Sequence, residues 1–158
     1  MIKKKKQRKP YSERNDIEKI ISNWNKATGL YNRKEASAAI VRAATAAEIA
    51  ANLVIRQELE VKRKLGKDFV DSLLIWANGI QGKFDRLILP LMKGSANFET
   101  FNRAKLKIEK INKERNSIAH SGQFKKKGTA KEIINLSKEV IEMLVQQYRK
   151  DFKLKEII

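Results

Sequence analysis

Residues 32–66 read NRKEASAAIVRAATAAEIAANLVIRQELEVKRKLG, and this stretch decides the fold class. Asn32-Arg33-Lys34-Glu35 has the form of a capping box, in which the Asn side chain takes an orphan backbone N–H and Glu reaches back to the cap. From there no Pro or Gly interrupts the chain until Gly66. Ile40, Ala44, Ala47, Ala51 and Val54 share one stripe at helical spacing, and most are small enough to let a second helix approach closely. The pattern predicts a long, central helix ending near Leu65.

Working outward, residues 12–27 carry Ile17, Ile20, Ile21 and Trp24 at helical spacing, with Thr28-Gly29 as a stop signal. Residues 68–93 are less regular, and Gly79, Gly82 and Pro90 divide them into two short helices joined by a turn. Between Asn97 and His120 the apolar positions Phe101, Ala104, Ile108, Ile111 and Ile118 mark one helix face, with Arg115 at the missing step. After Gly122 and the basic loop Lys125-Lys126-Lys127-Gly128, the box Thr129-Ala130-Lys131-Glu132 is expected to open a last helix. That helix carries Ile133, Leu136, Val140, Ile141, Leu144 and Tyr148. No strand pattern competes. The expected architecture is all-α, an up-and-down helical bundle of four to five main helices. At 158 residues one domain suffices, with residues 1–10 as a basic disordered tail and 11–158 as a single helical domain.

A formal net charge of +17 signals a polyanionic partner, either nucleic acid or an anionic membrane surface. Six of the first nine residues are Lys or Arg, yet the remainder of the chain is strongly basic too. The tail reads equally as a solvated extension or as an RNA-binding arm. The absence of Cys excludes disulfides and thiolate metal sites and fits a cytoplasmic protein. With no apolar run expected to span a bilayer and no strongly amphipathic cationic helix, a membrane partner is disfavoured. One His and no close cluster of carboxylates disfavour a metal hydrolase.

His120 is the sole histidine, and a lone histidine is ordinarily a surface or satisfied core residue. Its setting argues for more. Arg115 interrupts an apolar stripe, where a buried guanidinium is costly unless paired or facing a partner; a side chain snorkelling to water is the alternative. Asn116 and His120 lie four residues apart and share a helix face, so the amide can orient the imidazole or hold a phosphate oxygen. His120 falls at the carboxyl end of the expected helix, and an imidazole is the side chain suited to acid–base work near neutral pH. RNA cleavage needs a base, an acid and a group that balances charge on the phosphorane-like transition state. One His and one Arg do not fill three roles, and a symmetric dimer would double the set.

The segment Ile111-Asn112-Lys113-Glu114-Arg115-Asn116-Ser117-Ile118-Ala119-His120-Ser121-Gly122 resembles the signature of HEPN domains, an Arg and a polar residue followed at short spacing by His. The resemblance implies a dimeric helical bundle acting as a metal-independent endoribonuclease without cofactor, leaving a 2′,3′-cyclic phosphate and a 5′-hydroxyl. It implies catalytic roles for Arg115 and His120, with Asn116 as polar helper. A toxin or defence effector controlled by an antitoxin or regulatory protein is the implied setting. HEPN toxins paired with a nucleotidyltransferase antitoxin commonly carry Tyr two residues after the His, where this chain has Gly122. Glu48, amid the alanines of residues 43–51, is the candidate for an acidic residue that positions Arg115, or else a solvated charge. Lys125, Lys126 and Lys127 are candidates for sequence-independent contact with the RNA backbone, or a solvated loop. The alternative function is a non-catalytic helical module binding RNA or a protein.

Overall fold

A computed structural model describes residues 7–157. Its regular elements are all helical: α1 (Asp16–Asn32), α2 (Ala36–Arg56), α3 (Lys67–Trp76), α4 (Gly79–Lys83), α5 (Leu89–Met92), α6 (Phe98–Ser121) and α7 (Lys127–Gln146). No strand occurs among the described residues. The expected tail at residues 1–10 falls largely on residues 1–6, which lie outside the described residues. Gln7 to Pro10 are exposed.

Four long helices enclose the core. The three-residue turn between α1 and α2 folds them back on one another, with Lys34 in the left-handed region at φ 64°. The start of α7 meets the start of α2, where the Lys125 N–H donates to Ser37 Oγ at 2.9 Å. Their far ends meet where the Tyr148 hydroxyl donates to Glu58 Oε1 at 2.7 Å, so α2 and α7 run side by side in one direction. Helix α6 runs the opposite way along α7, tied by Lys107–Glu139 and Lys110–Glu132 ion pairs. Trp24, Ile40, Ile55, Phe84, Phe101, Ile108, Ile111, Ile133 and Ile141 are fully buried between these helices. The alanine stripe of α2 is buried as its spacing implies, with Ala44, Ala47 and Ala51 at 4% exposure or less.

Helix ends depart from the local signals. The capping box lies at Asn15, whose Oδ1 accepts from the Glu18 N–H while Glu18 Oε2 accepts from the Asn15 N–H, both at 2.8 Å. Helix α1 then passes through Thr28-Gly29 to Asn32, because burial of Ala27 and Tyr31 outweighs the helix cost of one Gly. Asn32 therefore closes α1 instead of capping α2, and Glu35 pairs with Arg33. Thr129 likewise lies inside α7, which begins at Lys127 with no side-chain cap. Helix α2 continues as a π-helical stretch, Gln57–Lys62, and α4 continues through another, Phe84–Ile88, into α5. Pro90 explains the second, since it has no N–H for the Arg86 carbonyl and its ring crowds the preceding turn.

Two further features bear on the site. The helical stretch 36–62 is long and apolar enough to cross a membrane, with a mean hydropathy of 1.6 over an 18-residue window, which corrects the expectation that no stretch qualifies. Two-thirds of that window is buried by other helices of the same chain, as befits a core helix. Beyond α7 the chain turns back along α1, where the Lys155 carbonyl accepts from Trp24 Nε1 at 2.9 Å and Leu154 is buried.

Candidate functional site

Helix α6 carries the motif where it climbs out of the core. Phe101, Ala104, Ile108 and Ile111 are buried, Arg115 to Ile118 are half-buried, and Ala119 and His120 are exposed. Arg115 thus completes the apolar stripe at a level where its guanidinium reaches the surface. Its Nη1 donates to Asn116 Oδ1 at 3.1 Å. Asn116 and His120 lie about 40° apart around the helix, whereas Arg115 and His120 lie about 140° apart. Asn116 therefore ties the guanidinium towards the face that carries the imidazole.

Gly122 sets where the helix stops. Its φ of 62° lies in the left-handed region that Gly enters at least cost, and its N–H reaches the Ile118 carbonyl at 3.1 Å while Gln123 N–H reaches the Ser117 carbonyl at 3.2 Å. These bonds occupy carbonyls of the last turn and leave His120 on the final exposed turn.

The lysines beyond the motif divide. Lys125 is consumed by the fold: its ammonium lies 2.8 Å from Glu114 Oε2, with the two side chains 15% and 20% exposed, and it also donates to Gln123 Oε1. The Glu114 contact is an ion pair too bent to be a hydrogen bond, so Oε2 has no hydrogen-bond partner among the described residues. Of the three lysines proposed to contact an RNA backbone, Lys125 is the one that the fold also engages. Lys126 and Lys127 are exposed, and Lys127 Nζ lies 5.3 Å from the centre of the Tyr31 ring. Lys127 begins α7, and Lys126 is the extended residue just before it.

Glu48 serves another partner. Its Oε1 accepts from Lys83 Nζ at 2.8 Å, and Lys83 is 4% exposed. Helix α4 brings Lys83 there while Gln81 Oε1 accepts from Asn112 Nδ2 of α6 at 3.0 Å. The carboxylate expected to position Arg115 neutralises a buried ammonium. Nothing local pointed to Lys83, which lies 35 residues from Glu48 in sequence.

A second polar cluster lies at the opposite end of the bundle. Glu58, 5% exposed, accepts from Lys62, Arg63 and the Tyr148 hydroxyl. Burial opposes ionisation of Glu58, but the hydrogen bonds from Lys62, Tyr148 and Arg63 outweigh it and hold the carboxyl below its ordinary value. Burial, together with the hydrogen bond to Glu58 and its negative charge, pushes the Tyr148 phenol up. Nearby, Asp16 is raised because burial outweighs the attraction of Arg56. Among the described residues no three His, Cys, Asp or Glu side chains converge as a metal site.

No family model matches this chain, and neither a curated protein nor a solved structure matches it.

Proposed function

We propose that this chain is a metal-independent endoribonuclease of HEPN-like organisation, acting through Arg115, Asn116 and His120 of two copies. The observation that carries the reading is an exposed His120 one turn beyond an Asn116 that accepts a hydrogen bond from Arg115, on the end of a helix in a chain of net charge +17.

The chemistry follows from what each group can do. A ribose 2′-OH attacks the adjacent phosphorus and gives its proton to one imidazole. The 5′-oxygen leaves as the P–O5′ bond breaks and takes a proton from the partner's His120. The products are a 2′,3′-cyclic phosphate and a 5′-hydroxyl, and the guanidinium of Arg115 balances charge on the phosphorane-like transition state. One chain supplies one imidazole and one guanidinium, carried at helix positions about 140° apart. Two copies related by a two-fold axis supply a base, an acid and two guanidinium groups.

Purified protein incubated with mixed RNA in excess chelator is expected to cleave it, leaving cyclic phosphate ends. Arg115→Ala and His120→Ala are each expected to abolish cleavage, and sedimentation is expected to give a dimer. Undiminished cleavage by the His120→Ala protein sinks the assignment, since no other histidine exists in the chain. A folded wild type that binds RNA without cutting it leaves the non-catalytic binding module.

A further inference from the structure

Most Lys and Arg side chains among the described residues have no carboxylate within 4.0 Å, and one concave surface gathers several of them. Along α1 a groove of about 810 Å³ is lined by Arg8, Lys9, Arg14, Lys26, Arg33 and Arg42, with Glu18 the sole acidic lining residue. Glu18 is already engaged, accepting from the Asn15 N–H and lying 3.7 Å from Lys9, and Arg33 is answered by Glu35. Arg8, Arg14, Lys26 and Arg42 have no carboxylate within 4.0 Å among the described residues.

Neutral partners hold the arginines in place. Arg14 donates from Nε to the Lys9 carbonyl at 2.9 Å and from Nη1 to Ser22 Oγ at 3.0 Å. Arg42 Nη1 donates to Asn23 Oδ1 at 3.3 Å. Asn23 is 1% exposed and also donates to the Tyr11 hydroxyl and the Lys19 carbonyl, both at 2.9 Å, locking the 3-10 turn Tyr11–Glu13 onto α1. Around the half-exposed Tyr11 ring stand Arg14, Lys19 and Lys26, each within 6.0 Å of its centre. The fold thus fixes a cluster of cations, bears their mutual repulsion and leaves their charge uncompensated. An external anion relieves that repulsion.

We infer that the α1 groove is a binding track for the phosphate backbone of a single RNA strand. The lining residues along α1 run from Glu18 to Arg33, about 22 Å of chain at helical rise, with cations beside them from the segment before α1, from α1 and from α2, which suits a row of phosphates better than one phosphate group. The groove is concave, and Ile21 and Leu30 among its lining residues offer apolar contact to bases and riboses, which a flat lipid surface does not require. Its Arg33 end adjoins the turn between α1 and α2, where Ser37 and Tyr31 meet Lys125 and Lys127 just beyond the motif. A strand in the groove therefore leads towards the bundle end that carries His120. The inference rests on the ribonuclease reading only in taking RNA as the ligand.

The test measures anisotropy of a labelled, unstructured 20-nucleotide RNA titrated with the full chain in the His120→Ala background, over a range of salt. The triple variant Arg14→Gln, Lys26→Gln, Arg42→Gln keeps hydrogen-bonding side chains and removes three charges. It is expected to bind on the order of tenfold more weakly and to lower the salt slope by about 2. A control removing the same charge from exposed positions outside the groove, Lys93→Gln, Lys150→Gln, Lys153→Gln, is expected to lose less than threefold. Lys26→Gln alone touches no hydrogen bond of the fold and is expected to lower the slope by about 0.7, so the inference stays testable if the triple variant melts early. Equal losses in groove and control variants overturn it. So does a groove variant that keeps its RNA affinity and instead loses sedimentation with phosphatidylserine vesicles. Cleavage by the unmodified protein is read separately: cutting with no groove dependence refutes the track alone, and groove-dependent binding without cutting refutes the nuclease alone.

Discussion

Two sets of arginines, one towards each end of α2, are held in opposite ways. At the far end Arg56 meets Asp71 at 2.7 Å, Glu60 at 3.1 Å and Asp16 at 3.9 Å, and Glu58 gathers Lys62, Arg63 and Tyr148. At the near end Arg42 holds only the amide oxygen of Asn23, and Arg115 only that of Asn116. Where carboxylates answer the cations, charge fastens helices together. Where amides and hydroxyls hold them, the geometry is fixed and the charge is left for a ligand. Variants at the first end are thus expected to change stability and spare RNA binding, and variants at the second to do the reverse.

The largest effect is expected at the motif. Arg115→Ala and His120→Ala should each lower cleavage by at least about 100-fold, while the melting temperature moves by no more than about 2 °C. A large fall in melting temperature for His120→Ala would break the comparison, because it would place the exposed imidazole among the groups that hold the fold.

Glu58→Ala comes next, at the paired end. Losing the acceptor for Lys62, Arg63 and a half-buried phenol should cost about 2 kcal/mol, or about 4–8 °C, with RNA affinity retained. The pH dependence has a definite sign. Glu58 is depressed in the folded chain, so its contribution is complete above the unfolded value of about 4.3 and is lost as pH falls through the lower folded value. The stability gap between wild type and Glu58→Gln should therefore narrow below about pH 4 and stay constant from pH 5 to 7. A gap that widens in acid would contradict the assignment.

Smaller effects sharpen the picture. Lys83→Met removes a buried ammonium but leaves Glu48, whose side chain is 30% exposed, able to hydrate, so the expected loss in a denaturant melt is about 1–2 kcal/mol. Nuclease activity that falls with Lys83→Met at unchanged stability would return Glu48 to the active site. Gly122→Ala should cost about 1 kcal/mol from its positive φ alone, because an added Cβ meets nothing within 4 Å. Cleavage should persist, as the helix still presents His120.

Much of the helical content was legible because burial follows periodicity. Ile40, Ala44, Ala47, Ala51 and Val54 line the core of α2, and Phe101 to Ile111 do the same for α6. Termini were less legible. Asn32-Arg33-Lys34-Glu35 and Thr129-Ala130-Lys131-Glu132 are sound capping signals that tertiary packing overrode, while the box at Asn15 to Glu18 operates. At the motif the sequence located the exposed end of α6 and its Gly stop but gave no sign of the partners that Glu48 and Lys125 take. Each finds its partner on another helix or turn, and no local pattern encodes that.

By itself the sequence determined an all-helical chain, a helix ending at Gly122 with one histidine on its last turn, and an excess of positive charge. These follow from spacing, from backbone freedom at one residue and from counting. Only the tertiary structure decided which charges are answered. The Glu48–Lys83 ion pair and the Tyr148–Glu58 hydrogen bond join residues far apart along the chain, and the unanswered cations of the α1 groove are visible only once the partners of every charge are known.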